Sequence, residues 1–197
     1  MEKLSYDTLF LDRDGVINVH IPNDYVKSVD EFIFIDGVPE AIRILSLLFT
    51  RIVVVTNQRG VGKGLMNQAD LENIHAYMTE TIFAHGGRID RIYVATTLDN
   101  AHPDRKPNTG LALQAKRDFP DLDFSRSLMA GDSLSDMQFA NNADIPAVLI
   151  GNKYKDETIA SVRIHARFPD LITFAEHLIQ TPDSPFRGRG HISTLSH

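Results

Sequence analysis

Residues 38–58 read VPEAIRILSLLFTRIVVVTNQ and contain the clearest change from helical to strand periodicity in the chain. The apolar residues of the first half recur at the spacing of one helical face behind Pro39, and proline is favoured in the first turn of a helix. The run at residues 52–55 is continuously apolar, which is typical of a strand buried on both faces of a sheet. This helix-to-strand unit predicts a parallel sheet covered by helices.

Similar units lie on both sides of this segment. Short apolar runs predict further strands at residues 8–11, 89–95, 128–130 and 147–150. Helical spacing predicts a second helix after Asn67, a third from about residue 108 to residue 118, and a fourth that begins near Ser133. This alternation predicts an α/β fold, namely a doubly wound, Rossmann-like domain of three layers with a mainly parallel sheet.

The composition is that of a folded globular domain. The chain has 197 residues, of which 43% are hydrophobic and 23% are charged, close to the averages for globular proteins. We expect one domain over residues 1–180. Residues 181–197 contain several prolines and glycines and almost no apolar residues, so we expect them to form a mobile tail.

Charge and cysteine content argue against several classes of protein. The chain has 20 Lys and Arg residues against 26 Asp and Glu residues, and the net charge of -6 argues against a nucleic-acid partner. The absence of cysteine excludes a thiolate zinc site and a cysteine nucleophile. We find neither a signal peptide nor an apolar run that could span a bilayer, so we expect a cytoplasmic protein without a membrane partner.

Four groups of polar residues follow the predicted strands. They are residues 12–18 (DRDGVIN), 56–58 (TNQ), 105–107 (RKP) and 131–136 (GDSLSD). Because the carboxyl ends of parallel strands open onto one edge of a sheet, we expect these groups to meet there. Together they offer carboxylates for a hard cation, a hydroxyl and amides for phosphate oxygens, and a lysine to balance negative charge.

The ordered set of motifs resembles the four-motif signature of the haloacid dehalogenase (HAD) phosphohydrolases over residues 6–150. The matching residues are Asp12-x-Asp14-Gly15, Thr56, Lys106 and Gly131-Asp132-x-x-x-Asp136. The finer forms DRDGVIN, TNQ and RKP are similar to the branch whose members hydrolyse heptose bisphosphate and histidinol phosphate. The gaps between the motifs leave no room for a cap domain, so we expect a HAD-like fold without one.

The resemblance implies a role for each residue of the motifs. Asp12 would be the nucleophile that forms an aspartyl phosphate, and Asp14 would protonate the leaving oxygen and later deprotonate water. Thr56 would bind a phosphate oxygen, and Lys106 would pair with Asp12 and the phosphoryl group. Asp12, Asp132 and the backbone carbonyl of Asp14 would hold Mg²⁺, which prefers oxygen ligands.

Ser133 and Asp136 allow two interpretations. The pattern Ser-x-x-Asp resembles a capping box at the start of a helix, which would make Asp136 structural. Otherwise Asp136 would orient Lys106 or a metal-bound water, and we do not expect it to ligate the metal directly. The candidates for substrate binding are Tyr25, Asn57, Gln58, Arg59 and Arg105.

Two segments beside the motifs differ from sequence patterns that are known to bind zinc or nucleotides in other proteins. Members of this branch often have a small zinc loop, with cysteines and a histidine, before the RKP motif. Residues 96–104 hold only His102 and no cysteine, so we expect no structural zinc. Residues 60–64 (GVGKG) match neither the Walker spacing nor the dinucleotide fingerprint, and we expect a flexible loop over the site.

We therefore expect a Mg²⁺-dependent phosphomonoesterase that acts on a phosphorylated sugar. The leading substrate is D-glycero-D-manno-heptose 1,7-bisphosphate, with removal of the 7-phosphate. Histidinol phosphate and the phosphate end of a nucleic acid are alternative substrates, and the acidic net charge disfavours the latter. A HAD-like binding module without activity is the alternative outside enzymes, but it would not need Asp12, Asp14, Lys106 and Asp132 together.

Overall fold

The computed structural model describes residues 6–180, which contain a sheet of six parallel strands. The strands are β1 (Thr8–Leu11), β2 (Arg51–Asn57), β3 (Arg91–Ala95), β4 (Ser127–Gly131), β5 (Ala147–Ile150) and β6 (Ala166–Phe168). Their order across the sheet is β3-β2-β1-β4-β5-β6, and all neighbouring pairs are parallel. In this doubly wound order the strand sequence reverses between β1 and β4. The predicted fold class is confirmed.

Helices cover both faces of the sheet. They are α1 (Val38–Leu48), α2 (Arg59–Gly62), α3 (Gln68–Ala84), α4 (Gly110–Asp118), α5 (Leu134–Asn142), α6 (Asp156–Ile159) and α7 (Leu171–Gln180). Leu9 and Leu11 of β1 pack in the core formed with α1, α3 and α7, whereas Phe10 packs in the core formed with α4 and α5. Because successive strand residues point to opposite faces, β1 is buried on both sides and the fold has three layers.

The last two elements of the described chain, β6 and α7, were not predicted. β6 has only three residues, and Arg167 at its centre interrupts the apolar pattern. By contrast, the apolar residues of α7 recur at helical spacing, and this pattern is visible in the sequence. The stripe consists of the buried residues Leu171, Phe174, Ala175 and Leu178. These residues join the same core cluster as α1, with which α7 is in contact.

The segments between the motifs are short, as expected for a fold without a cap. Within the described chain, residues 15–50 contain α1 and a 3-10 turn at Val29–Glu31, and residues 59–104 contain α2, α3 and β3. Residues 59–62 form one helical turn where we expected a loop. Gly62 allows this turn to approach the segment after β3, because a Cβ atom at this position would collide with the carbonyl oxygen of Thr96.

Side-chain caps fix the starts of two helices that flank the site. Asn67 and Asp70 form a capping box at the start of α3, and Ser133 and Asp136 form another at the start of α5. No helix within residues 6–180 is long and apolar enough to cross a membrane. The tail predicted over residues 181–197 lies outside the described residues.

Candidate active site

The polar motifs meet in a cleft at the carboxyl ends of the central strands. β1 pairs with β2 on one side and with β4 on the other, so the residues that follow these strands are neighbours in space. The cleft is lined by residues 20, 21 and 24–26 and by Asp12, Asp14, Thr56, Asn57, Lys106, Asp132, Ser133, Ser135, Asp136 and Lys153. The structure therefore brings the four motifs together at the edge of the sheet where ligands bind in such folds.

Lys106 is the centre of the buried part of the cleft. Its Nζ atom donates hydrogen bonds to Asp12 Oδ1 at 2.8 Å, to Asp136 Oδ1 at 2.6 Å and to the carbonyl oxygen of Val55 at 2.8 Å. The residue is only 3% exposed, so all three of its N–H donors are used inside the protein. Lys106 thus links the residue after β1 to the helix that follows β4.

Asp12 is buried close to several charged side chains. Burial and the carboxylate of Asp136 raise the pKa of Asp12 to about 8, although the Lys106 ammonium acts in the opposite direction. Burial lowers the pKa of Lys106, but Asp12 and Asp136 outweigh this effect and hold the pKa above its ordinary value. Lys106 is therefore a permanent cation, and an additional cation beside Asp12 would favour the ionised nucleophile.

Asp136 performs both of the functions that the sequence left open. Its Oδ2 atom accepts hydrogen bonds from the backbone N–H of Ser133 at 3.0 Å and from Ser133 Oγ at 2.6 Å, which caps α5. Its Oδ1 atom accepts the hydrogen bond from Lys106. Gly131 permits this arrangement, because a Cβ atom there would collide with the side chain of Asp136.

Three carboxylates at the site fit a hard divalent cation. Asp12, Asp132 and Asp136 each offer one oxygen, and these oxygens lie within 4.8 Å of one another. A donor set made only of oxygens suits Mg²⁺. Asp12 and Asp132 keep 8% and 9% exposure, whereas Asp136 is fully buried and is used by Lys106 and Ser133. Asp12 and Asp132 therefore have carboxylate oxygens that are more available to a cation than those of Asp136.

Asp132 lies between the loop after β1 and the loop after β5. Gly15 has a φ of +87°, and a Cβ atom on it would collide with the Asp132 carboxylate, so glycine is needed for this close approach. Lys153 Nζ donates to Asp132 Oδ2 at 2.5 Å. Burial raises the pKa of Asp132, and the charge and hydrogen bond of Lys153 oppose that rise. A cation thus already neutralises Asp132 in this structure.

Asp14 is surrounded by hydrogen-bond donors. Arg13 Nη2 donates to both carboxylate oxygens at 2.9 and 3.0 Å, Asn18 Nδ2 donates to Oδ1 at 2.9 Å, and Gln58 Nε2 donates to Oδ2 at 2.7 Å. Burial raises the pKa of Asp14, but the Arg13 charge and these hydrogen bonds outweigh burial and lower it. The side chain is 24% exposed, so the carboxylate is still accessible from the cleft.

Thr56 and its two successors have separate contacts. Gln58 is buried, and its Nε2 atom donates to Thr56 Oγ1 at 2.9 Å as well as to Asp14. The Thr56 hydroxyl thus accepts one hydrogen bond and keeps its own hydrogen for a ligand oxygen. The Asn57 side chain exchanges two 3.1 Å hydrogen bonds with the backbone of Lys106. Asn57 and Gln58 therefore hold the catalytic loops, and Asn57 also lines the cleft.

Tyr25, Arg59 and Arg105 form a group at one side of the cleft. Tyr25 lines the cleft, and burial, followed by the charge of Arg59, lowers the pKa of Arg105. Arg59 Nη2 donates to the carbonyl oxygen of Leu98 at 3.4 Å, and Arg105 Nε donates to Asn100 Oδ1 at 3.1 Å. Within residues 6–180, Arg59 Nε and Arg105 Nη1 are buried without a hydrogen-bond partner, and neither arginine forms an ion pair.

Four residues at the site had no role predicted from the sequence: Arg13, Asn18, His75 and Lys153. Arg13 and Asn18 lie within the DRDGVIN motif, where a cation and an amide next to the acidic residues were an available signal. His75 is on α3 and Lys153 follows β5, and both are distant in sequence from the motifs. Their contacts depend on how helices and loops pack, which no local pattern indicates.

Comparison with known proteins gives a consistent result. Residues 104–173 match the family model described as HAD-hydrolase-like. The chain is 39% identical over 149 residues to D-glycero-alpha-D-manno-heptose-1,7-bisphosphate 7-phosphatase of Campylobacter jejuni, covering 76% of this chain and 84% of the relative. It is 37% identical over 153 residues to the beta-anomer 7-phosphatase of Escherichia coli K12, covering 72% and 76% of the two chains.

A solved structure agrees with these relatives. The D,D-heptose 1,7-bisphosphate phosphatase of B. bronchiseptica, complexed with magnesium and phosphate, superimposes with a TM-score of 0.79 at 32% sequence identity. The match covers 88% of this chain and 98% of that chain. The similarity therefore extends over nearly the whole solved protein, including the sheet edge that carries the site.

Proposed function

We propose that this chain, which belongs to the heptose-bisphosphate phosphatase family of HAD-like hydrolases, removes the 7-phosphate of D-glycero-D-manno-heptose 1,7-bisphosphate. The observation that carries the proposal is the position of Asp12 between Lys106 and Asp132, with Asp14 two residues further along the same loop. This set contains a nucleophile, a fixed cation, an oxygen ligand for a metal and a second carboxylate for proton transfer.

The reaction proceeds in two balanced steps. In the first step a carboxylate oxygen of Asp12 attacks phosphorus, the bond from phosphorus to the C7 oxygen breaks, and Asp14 gives a proton to that oxygen. Asp14 therefore enters this step protonated, a form that the negative charge of the bound phosphate favours against the pKa-lowering effect of Arg13. In the second step Asp14 takes a proton from water, the water oxygen attacks phosphorus, and the bond to Asp12 breaks. Inorganic phosphate leaves, and both carboxyl groups return to their starting states.

Lys106 and Thr56 hold the group that is transferred. Lys106 stays charged beside Asp12 and faces the developing negative charge on the phosphoryl oxygens. The Thr56 hydroxyl has a hydrogen available for one of these oxygens, because it accepts from Gln58. Both groups are buried and fixed by hydrogen bonds before substrate arrives, so little reorganisation is needed during the reaction.

Mg²⁺ is the cofactor that fits the donor set. Asp12, Asp132 and the backbone carbonyl of Asp14 would hold it, and when bound it supplies positive charge next to the phosphoryl group. We propose that no structural zinc is needed, because residues 96–104 contain no cysteine and a single histidine. Metal analysis of the purified protein tests this point, and one equivalent of zinc per chain would contradict it.

The arginine pair beside the cleft suggests how a second phosphate is bound. Arg59 and Arg105 repel each other, have buried unpartnered N–H groups and lack a carboxylate partner in the described chain. An anion between them would supply the missing charge and hydrogen bonds. We propose that the 1-phosphate, which is not transferred, binds here, with Tyr25 between this position and the catalytic carboxylates.

The same pair disfavours the alternative substrates. Histidinol phosphate carries a cationic amine in place of a second phosphate, and two unpaired guanidinium groups would repel it. A nucleic-acid end would bring a polyanion toward a chain with a net charge of -6. We propose a free phosphorylated sugar in the cytoplasm as the substrate, without a nucleic-acid or membrane partner.

A screen for phosphate release in the presence of Mg²⁺ tests the substrate. It compares both anomers of heptose 1,7-bisphosphate with heptose 7-phosphate and histidinol phosphate. We expect the highest kcat/KM with one of the two bisphosphates and no release by Asp12→Asn, which should remain folded. A higher kcat/KM for histidinol phosphate would contradict the substrate, and undiminished turnover by Asp12→Asn would contradict the nucleophile.

Substitution of the arginines tests the position of the second phosphate. In Arg59→Met and Arg105→Met we expect KM for the bisphosphate to rise roughly tenfold to a hundredfold, the usual range for hydrogen bonds to a charged group. KM for heptose 7-phosphate should change by about twofold or less. Arg117→Met, on the exposed surface of α4, is the matched control. Equal effects on both substrates would place the 1-phosphate elsewhere.

A further inference from the structure

Arg13 is fully buried and carries a charge that few groups balance. It is among the largest side chains with 0% exposure in the described chain. Its Nη2 atom binds the Asp14 carboxylate, its Nη1 atom lies 3.1 Å from His75 Nε2, and its guanidinium carbon lies 5.9 Å from the centre of the Phe32 ring. Within residues 6–180 its Nε atom has no partner. The orientation of Arg13 therefore depends on Asp14 and His75.

His75 is the acceptor in its contact with Arg13. A guanidinium group can only donate, so the His75 Nε2 atom must be unprotonated and the ring proton must lie on Nδ1. Burial and, to a smaller extent, the charge of Arg13 lower the pKa of His75 to about 4, in agreement with a neutral ring. At neutral pH the ring accepts a hydrogen bond from Nη1, the terminal nitrogen of Arg13 that does not bind Asp14.

The position of His75 is fixed by α3. The helix begins at the capping box of Asn67 and Asp70, and its buried residues Leu71, Ile74 and Met78 belong to the core on one face of the sheet. His75 thus projects from a rigid element, whereas Asp14 belongs to a loop in which residue 15 has a positive φ. A contact from a packed helix can hold such a loop residue in one orientation.

We propose that His75 is a positioning residue for proton transfer: it fixes Arg13, and Arg13 fixes the carboxylate of Asp14 toward the leaving oxygen. The inference rests on the proposed phosphatase function, because it assigns Asp14 the proton that the leaving group receives. His75 itself touches neither the substrate nor the reacting atoms. Loss of its acceptor would leave Arg13 Nη1 buried without a partner and free the Arg13–Asp14 pair to rotate.

A comparison of two aryl phosphates of similar shape distinguishes an effect on proton transfer from an effect on the other steps of the reaction. Phenyl phosphate has a basic leaving group that needs a proton as it departs, whereas 4-nitrophenyl phosphate has an acidic one that needs little help. The value of kcat/KM reports the steps up to departure of the leaving group. A defect confined to Asp14 should therefore reduce kcat/KM for phenyl phosphate much more than for 4-nitrophenyl phosphate.

The variants are His75→Leu, which removes the acceptor, and His75→Gln, whose carbonyl oxygen can reach the position of Nε2. In His75→Leu we expect kcat/KM for phenyl phosphate to fall on the order of tenfold more than for 4-nitrophenyl phosphate. In His75→Gln we expect most of that difference to disappear. Thermal unfolding and circular dichroism monitor folding in both variants.

Three outcomes would overturn the proposal. They are an equal loss with both aryl phosphates, no loss with either, and a leaving-group effect that His75→Gln does not reverse. The first indicates that His75 only supports the fold. These results are independent of the sugar, because no heptose is used. Failure of the phosphatase function itself would appear separately, as aryl phosphate hydrolysis that persists in Asp12→Asn.

Discussion

Asp12 and Asp14 are two residues apart in one loop, yet their carboxylates have opposite surroundings. Asp12 faces the carboxylates of Asp136 and Asp132 and shares one lysine with Asp136, and its pKa is raised. Asp14 faces only N–H donors from Arg13, Asn18 and Gln58, and its pKa is lowered. The difference follows from the groups packed around each carboxylate. Asp12 contacts Lys106 and lies near Asp132 and Asp136, which follow β4, whereas Asp14 contacts Gln58, which follows β2, and Arg13, which contacts His75 of α3.

The surroundings of Asp12 and Asp14 also differ in how far positive and negative charges balance. Around the nucleophile, the carboxylates of Asp12, Asp132 and Asp136 face the ammonium groups of Lys106 and Lys153, so ionisation of Asp12 leaves one negative charge in excess before a phosphate enters. A divalent cation reverses this balance. Around Asp14 the guanidinium group of Arg13 already matches the carboxylate. Substitutions around Asp12 and around Asp14 should therefore have different consequences.

Replacing Lys106, which donates a hydrogen bond to Asp12, should have the largest effect. In Lys106→Met we expect phosphatase activity to fall by about a thousandfold or more, because the transferred group loses its fixed cation. We also expect a loss of about 3–5 kcal/mol of folding stability at pH 8, since two buried carboxylates lose their partner. The loss should shrink toward pH 5, where Asp12, whose pKa is raised, becomes protonated.

Urea unfolding at the two pH values measures this effect, and the exposed Lys155→Met is the control. An equal loss of stability at pH 5 and pH 8 would show that Lys106 contributes by packing instead of by charge.

Removing the Asp132 carboxylate should weaken metal binding. In Asp132→Asn we expect Mg²⁺ affinity to fall by about a hundredfold and activity at saturating Mg²⁺ to recover only in part, because one of the anionic oxygen ligands is replaced by a neutral one. Titration of activity with Mg²⁺, after treatment with a chelator, measures the change. If the dependence of activity on Mg²⁺ is unaltered, Asp132 is not a ligand of the metal.

His75, which contacts Asp14 through Arg13, should make the free energy of unfolding depend on pH in the acid range. Its folded-state pKa of about 4 lies below the ordinary 6.5, so the neutral ring stabilises the fold above pH 6.5. That contribution is lost as the pH falls from about 6.5 to 4, by up to about 3 kcal/mol. His75→Gln cannot be protonated, so its stability relative to the parent chain should rise over this range. A constant difference between the two proteins would contradict a buried neutral ring.

The contact between Gln58 and Asp14 should have a smaller effect. In Gln58→Leu, Asp14 loses one donor and its pKa rises, so the basic limb of the pH dependence of kcat/KM, where Asp14 loses the proton that it gives to the leaving oxygen, should move to higher pH. We expect kcat/KM at neutral pH to change by about tenfold or less, because the larger protonated fraction of Asp14 opposes the loss of a hydrogen bond that orients it. Gln68→Leu, on an exposed position of α3, is the control. A shift of the limb to lower pH would contradict the assignment.

The smallest effect is expected from Lys153, which is exposed and competes with a metal for Asp132. In Lys153→Met we expect Mg²⁺ to bind the substrate-free protein up to about fivefold more tightly, since partly exposed ion pairs contribute at most about 1 kcal/mol. Calorimetric titration with Mg²⁺ measures the change, with Lys155→Met as the control from the same loop. Weaker binding in Lys153→Met would show that Lys153 supports the metal site.

Sequence patterns were most informative where one physical effect dominates. The bounds of β1 and β5 were predicted to the residue, because both are short, fully buried and almost entirely apolar segments that end at a charged or flexible residue. The start of α5 was predicted from its capping residue, Ser133. The convergence of the motifs followed from parallel topology alone, since all of them come after strands.

Sequence patterns were least informative about the direction in which a side chain points. Nothing local shows that Gln58 turns away from substrate toward Asp14, or that Arg13 is fully buried between Asp14 and His75. These contacts are set by the packing of α3 against the sheet. β6 was missed because a three-residue edge strand with a central arginine has no apolar period.

Asp136 starts α5 and at the same time binds the lysine of the nucleophile. Lys106 and Asp12 belong to segments that precede β4, so the charges of the site are complete only after the last third of the chain has docked. A nascent or partly unfolded chain would present scattered carboxylates with little affinity for a divalent ion or a phosphorylated sugar. Because the two oxygens of the Asp136 carboxylate join the start of α5 to Lys106, the site can be active only when these segments have folded together correctly.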